Sequence, residues 1–338
     1  MADDARRPLV EIQSLKKYFP IRSGLFGRRK GAVKALDDVS LRLYEHETLG
    51  LVGESGCGKT TLGRCVVRAY EPTSGRILYH GAGQVTDLAA LSKRELRPFR
   101  SQLRLICQDP YTSLNPRMTV LEIIGEPMRI LEGAKRSEIE ERVAQLLVRV
   151  GLRPEYMRRY PHAFSGGQRQ RIGIAHAIAL NPRVIVADEA VSALDLSVRA
   201  QILELFQQLA ADLKLTCLFI SHDLSVVEYM ADRVAVMYVG KLVELAGTRD
   251  LYRSPQHPYT EALLSAVPVA DPRRRSKRIV LEGDVPNPSN PPPGCSFHPR
   301  CRYARPVCAG ETPPLRDVGN EHWVACHFAG ELELRGVA

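Results

Sequence analysis

Residues Gly53 to Thr60 read GESGCGKT, directly after the apolar run TLGLV and directly before TLGRCVV. A glycine-rich loop ending in Lys-Thr, set between a short strand and a helix, constrains this chain more than any other stretch. Glycines let backbone N–H groups curl inward on phosphate oxygens, and the helix that follows adds the positive end of its dipole. Lys59 is then placed to reach β- and γ-phosphates, the Thr60 hydroxyl to ligate Mg²⁺, and Thr61 to add a further hydrogen bond. Such a loop needs a buried parallel strand beneath it, so the fold to expect is an α/β sheet covered on both faces.

The rest of the chain agrees with that expectation. LVEIQSLKKYF and AVKALDDVSLRLY read as strands in the N-terminal region. From Thr119 to about Val150 the apolar period becomes helical, with Ser137 and Glu140 spaced as a capping box. A helical insert, about 109–165, therefore interrupts a strand-rich core. QRQRIGIAHAIAL predicts a long helix closed by Asn181-Pro182, followed by the strand VIVAD, the helix SVRAQILELFQQLAADL, the strand TCLFIS and a βαβ-like stretch to about Ala266. This sets a first domain at 1–266. Residues 267–338 form a proline-rich linker and a small, loop-rich tail that would hardly fold without a staple.

No apolar run approaches the eighteen or so residues of a membrane span, and MADDARRPLV lacks a secretory core, so an intracellular chain is expected. The net charge of +9 makes acidic partners worth weighing. Two basic clusters stand out, Arg28 to Lys30 and Arg273 to Lys277; neither is interleaved with aromatics for stacking on bases. Solvated loop charge is the preferred reading, and no nucleic acid partner is expected.

Further motifs handle phosphate. Asp188 and Glu189 close the strand VIVAD, the first placed to hold Mg²⁺ and the second, at the strand tip, to polarise an attacking water. FSGGQ, Phe164 to Gln168, begins a second glycine-opened helix far from the phosphate loop.

Together these motifs closely resemble the ABC transporter ATPases over about residues 9 to 266. The resemblance implies a RecA-like α/β core with an N-terminal antiparallel β subdomain and a helical subdomain. It implies that Gly53, Glu54, Ser55, Gly56, Cys57, Gly58, Lys59, Thr60 and Thr61 bind ATP, with Tyr18 (or its neighbour Phe19) stacked on adenine. Gln108, in ICQDP, matches the glutamine that contacts Mg²⁺ and water and relays to membrane subunits. Thr60, Gln108 and Asp188 would thus hold the Mg²⁺. Ser165, Gly166, Gly167 and Gln168 match the signature that closes on the ATP of a second cassette. Ser192, Ala193, Leu194 and Asp195 match the loop that speaks across the interface, and His222, in FISHD, the switch histidine. Glu189, His222 and Lys59 would be catalytic. Two positions depart from the family habit: Ala190 where proline is common, and His176 where arginine often lies.

PYTSLNPRMTV, RYPHAFSGGQRQRIGIA, VSALDLSVRAQIL and HPYTEALLSAVP resemble the ATPase subunits of oligopeptide and dipeptide importers. That likeness implies a peripheral protein on the cytoplasmic face of the inner membrane. Its partners would be a second ATPase subunit, commonly a different one, two transmembrane permease subunits and an extracytoplasmic peptide-binding protein. Nickel and other solutes are alternative cargoes. A non-transport ABC ATPase of iron–sulfur assembly, translation or repair is the alternative class.

The tail holds Cys295, Cys301, Cys308 and Cys326 in the spacing C-x5-C-x6-C-x17-C. Four thiols can bind an iron–sulfur cluster or tetrahedral zinc, or simply pack in a small core, and His298, His322 and His327 lie near enough to be rival ligands. Resemblance to the peptide importers favours a [4Fe-4S] cluster, with zinc as the alternative.

Overall fold

Five short apolar segments lie side by side and parallel in the order β6-β7-β8-β3-β9. They are β3 (Thr48–Val52), β6 (Leu103–Ile106), β7 (Val184–Asp188), β8 (Thr216–Ile220) and β9 (Arg233–Tyr238). The computed structural model describes residues 7–23, 28–81, 83–108, 114–267 and 278–337, with 22, 23 and 28–30 described by backbone alone. The Arg273–Lys277 cluster and the side chains of Arg28 to Lys30 therefore lie outside the described residues, as does the 109–113 part of PYTSLNPRMTV.

Every residue of β7, β8 and β9 is buried, because the sheet is covered on both faces and alternate side chains enter two cores. Ile185, Ala187, Phe219 and Val236 join the core built by the helices α4 (Gly166–Ile178) and α5 (Leu196–Asp212). Val186, Leu218, Ile220 and Met237 join the opposite core, with α1 (Lys59–Val66) and the N-terminal strands. Those strands form a second, antiparallel sheet in the order β2-β1-β4-β5, from β1 (Pro8–Ser23), β2 (Arg28–Tyr44), β4 (Ser74–Gly81) and β5 (Gln84–Asp87).

Between β6 and β7 stands the helical insert, α2 (Val120–Pro127) and α3 (Arg136–Arg149), which packs Ile124, Val143 and Leu147 on the α4 core. The capping box belongs to α2: Thr119 accepts from the Glu122 N–H and Glu122 reaches back to the Thr119 N–H. Ser137 and Glu140 do not form the one expected. The helix starts at Arg136, so Ser137 is already inside the first turn, and Glu140 pairs with Arg136 at 3.0 Å.

After β9 the chain does not make the expected βαβ crossover. Val239 and Gly240, both at positive φ (43° and 75°), close a two-residue hairpin into β10 (Lys241–Gly247), which runs antiparallel to β9. Two short helices, α7 (Thr248–Arg253) and α8 (Pro258–Ser265), follow. The tail then returns to the same sheet: β12 (Trp323–Val324) pairs with β10, and β11 (Arg316–Asp317) pairs with β12. Phe297, 2% exposed, inserts between Tyr238 and Tyr259 with ring centroids 5.2 and 5.4 Å away. Buried Glu244 accepts from His322 at 2.6 Å, and buried Glu261 from Arg302 at 2.9 Å. The tail is thus held by a core it shares with the cassette, whereas its composition read as a unit needing its own staple.

Candidate nucleotide site

Parallel neighbours end at the same edge of a sheet, so the loops after β3, β6, β7 and β8 gather there. The loop after β3 is the GESGCGKT turn. At Gly58 φ is +111° and a Cβ would stand 2.3 Å from the Ala35 carbonyl oxygen, which leaves glycine as the residue that fits. Lys59, buried, donates through Nζ to the carbonyls of Gly53 (2.6 Å) and Glu54 (3.0 Å), across the mouth of the loop. Ser55 and Gly56 are exposed at the tip; Cys57 is buried, with its Sγ 3.8 Å from Lys59 Nζ. Thr61 lies half-buried in the first turn of α1.

Thr60 Oγ1 donates to Asp188 Oδ1 at 2.9 Å, joining the loop to the end of β7. Burial raises the Asp188 carboxyl above its ordinary range, and the Thr60 hydrogen bond and Arg64 act the other way. Glu189 follows at φ +49°, an uncommon angle for a side-chain-bearing residue that turns the chain out of the sheet. Its N–H is tied to Ile220 O and its carbonyl accepts from Ser192 Oγ at 3.0 Å. The carboxylate accepts from Gln108 Nε2 at 2.7 Å and lies 3.4 Å from His222 Nδ1. Gln108, Glu189 and His222, 114 residues apart from first to last by number (222 − 108), meet because they follow three adjacent strands.

Ser165 to Gln168 are not part of this cluster. Ser165 caps α4 and exchanges a capping box with Gln168, and no hydrogen bond among the described residues joins these four to the phosphate loop. Gly167 lies under α5: a Cβ there would be 2.4 Å from Val198 Cγ1. The helix that carries the second glycine motif is thereby packed on the start of the helix that follows Ser192, Ala193, Leu194 and Asp195. Arg199 ties that loop to the next, donating to Leu194 O and pairing with Asp223 at 3.3 Å, one residue past His222.

Tyr18 donates its hydroxyl to Asp37, and burial together with that bond pushes the phenol up to about 12. The ring of Phe19 is occupied, edge-on to Tyr70 at 5.7 Å with Lys17 Nζ 4.9 Å from its centroid. The two departures are both interior. Ala190 is buried, and His176 sits 3.2 Å from Arg104 with its imidazole pushed down to about 4 by burial.

Two residues at this site carry no sequence signal. The Glu54 N–H donates to Tyr259 Oη at 2.8 Å, and the Glu54 carboxylate is gripped by Arg300 at 2.7 and 3.1 Å. Arg300 is 246 residues from Glu54 in a proline-rich run, and no local pattern marks it.

Cys295, Cys301, Cys308 and Cys326, all free thiols, line one small apolar cavity closed by Phe297 and Phe328. Burial, reinforced by the neighbouring thiols, pushes Cys301 and Cys326 up to about 11. Among the described residues no three His, Cys, Asp or Glu side chains are grouped as ligands of a single ion. The three histidines are engaged elsewhere: His298 with Cys295 O, His322 with Glu244 and His327 with Glu311 O.

A phosphate loop and a carboxylate–glutamine–histidine cluster on a parallel sheet, with an antiparallel sheet and a helical insert leading to a second glycine motif, define an ATP-binding cassette ATPase. The ABC transporter family profile matches residues 36–192, and that of the oligopeptide/dipeptide transporter C-terminal region matches 243–308. The chain belongs to the ATP-binding proteins of the ABC oligopeptide/dipeptide transporters. It is similar to the oligopeptide transport ATP-binding protein AppF of Bacillus subtilis, 53% identical over 95% of this chain and 97% of that one. It is 51% identical to a probable peptide ABC transporter ATP-binding protein, y4tS, of Sinorhizobium fredii, over 94% of this chain and 89% of the relative. Among solved structures it resembles the dimeric cassette MJ0796 in a post-hydrolysis state bound to ADP and Pi, with TM-score 0.62 and 26% identity over 71% of this chain and 99% of that one. Like its relatives, the chain is an ATPase of the ABC type.

Proposed function

We propose that this chain is the ATP-hydrolysing subunit of a peptide importer, working as one of two cassettes that close on ATP. The observation that carries the reading is the convergence of Gln108, Glu189 and His222 beside the Thr60–Asp188 pair at one sheet edge. Lys59 binds the β- and γ-phosphates, replacing its carbonyl partners with phosphate oxygens. Glu189 takes the proton of the attacking water, held in place by Gln108, and His222 contacts the γ-phosphate. Thr60, Asp188 and Gln108 supply hard oxygen donors of the kind Mg²⁺ prefers, and the ion, when bound, neutralises charge on the phosphates. Tyr18, whose ring is not engaged as that of Phe19 is, stacks on adenine.

Ser165 to Gln168 serve the partner's nucleotide, which accounts for their separation from the loop on their own chain. Ser192 to Asp195 line the interface, where Leu196 is 80% exposed. In the insert a groove lined by Leu121, Glu126, Arg129 and Met157 is open to receive a membrane subunit. No helix among the described residues is long and apolar enough to cross a membrane, so attachment to the cytoplasmic face runs through two permease subunits. A separate binding protein delivers the cargo, and the second cassette is a related but different chain. Peptide as cargo rests on the relatives' names and on the match to the C-terminal region.

The four tail thiols fit a [4Fe-4S] cluster. They ring one apolar cavity without disulfides, and their grouping is not that of ligands to one zinc ion. Bound there, the cluster would crosslink Cys295, Cys301, Cys308 and Cys326 and fasten the tail. Iron and sulfide analysis of anaerobically purified chain tests this; zinc in their place refutes it.

For the function as a whole, cells lacking this chain should lose uptake of labelled di- and oligopeptides. The wild-type chain should restore it and Lys59→Ala should not. Peptide uptake that is unchanged without the chain would refute the assignment.

A further inference from the structure

We infer that Arg300 of the tail is a positioning residue of the phosphate loop, holding the Glu54 carboxylate out of the site where the triphosphate binds. This rests on the assignment of Gly53–Thr60 as the loop that cradles ATP phosphates. Glu54 is the second residue of that loop, and a free carboxylate there would stand among the phosphates it has to bind. Instead both its oxygens accept from the Arg300 guanidinium, at 2.7 and 3.1 Å, in a bidentate pair whose arginine side chain is only 7% exposed.

The grip is built from two directions. Arg300 ends a 3₁₀ turn (His298–Arg300) that follows Phe297, which is wedged between Tyr238 and Tyr259. A second guanidinium contact, 3.3 Å to Tyr238 Oη, fixes the fork against β9. Tyr259 of α8 meanwhile takes the Glu54 N–H, so both the backbone and the side chain of Glu54 are held by residues beyond β9. The Glu54 carbonyl, in turn, accepts from Lys59 Nζ at 3.0 Å. The tail thereby sets the residue on which the phosphate-binding lysine rests.

If Arg300 is removed, Glu54 loses its counter-ion and becomes an anion free to swing toward Lys59 and the phosphates. Like charges at such range oppose ATP binding before chemistry begins. In the full-length chain assembled with its partner cassette, Arg300→Ala should raise KM for ATP about tenfold while kcat stays within about twofold. Adding Glu54→Gln to the same chain removes the unpaired charge and should bring KM back to within about threefold of wild type. A merely structural role for Arg300 predicts the opposite, a double variant no better than the single one. Arg300→Lys, which keeps the charge and loses the fork, is the second variant should the alanine chain fail to fold, with a smaller KM rise that Glu54→Gln also corrects. An unchanged KM in the folded Arg300 variants, or a rise that Glu54→Gln does not correct, would overturn the inference. Lys59→Ala serves as the control: if it left ATP binding intact, the loop assignment itself would fail.

Discussion

Replacing Glu189 by glutamine changes one carboxylate oxygen to an amide nitrogen and little else. The side chain keeps its length, its amide oxygen can still accept from Gln108 Nε2, now 2.7 Å from the carboxylate, and the tie from Glu189 N–H to Ile220 O is untouched. Folding stability should therefore move by less than about 0.5 kcal/mol. What disappears is the base. General-base catalysis contributes about 10²–10⁴ in rate, roughly 3–5 kcal/mol of barrier, so phosphate release should fall by at least a hundredfold. Nucleotide binding should hold or tighten, because a negative charge next to the γ-phosphate position has been removed. The measurement is phosphate release under saturating Mg-ATP, alongside gel filtration of the cassettes with and without ATP. Slow turnover with an ATP-stabilised closed pair is expected. Turnover within threefold of wild type would show that Glu189 is not the base, and loss of ATP binding would show that the substitution damaged the site.

Further perturbations test the scaffold. Phe297→Ala should destabilise the chain by about 3–5 kcal/mol in urea unfolding, since it empties a fully buried site between Tyr238, Tyr259 and His257. Thr119→Ala removes the α2 cap and should cost about 1 kcal/mol in the same assay, with Ser137→Ala nearly neutral because Ser137 caps nothing. Acid should destabilise the fold. Burial pushes His176 down to about 4 and His257 to about 3, so below pH 6.5 the unfolded chain takes up protons that the folded chain refuses. Stability contributed by the two neutral imidazoles is complete above pH 6.5 and is lost as pH falls toward 4, at up to about 1.4 kcal/mol per pH unit for each. Urea titrations at pH 7.5, 5.5 and 4.5 measure this, and His257→Gln should flatten the slope.

Short-range chemistry was written plainly in the chain. A glycine-rich turn between a strand and a helix, a strand ending Asp-Glu and a serine-capped glycine pair each act through residues a few positions apart, so spacing alone shows what they can do. Strands buried on both faces were legible for the same reason, since a continuous apolar run has no solvent-facing side. The misread elements were those settled by partners far along the chain. Val239 and Gly240 turn back into a hairpin because the sheet edge beside β9 is open to an antiparallel strand. The first turn of α3 is set by where the insert packs, and Ser137 cannot register that. The tail read as a fragment in need of its own staple because its own residues cannot form a core. Only the assembled structure shows Phe297 completing the cassette's core and β12 extending its sheet. By itself the sequence determined the nucleotide machinery, since each half-site is a local backbone turn with a charged tip. Tertiary structure alone decided that Gln108, Glu189 and His222 meet and that Arg300 reaches Glu54, because such contacts depend on strand order and docking, which no local pattern encodes.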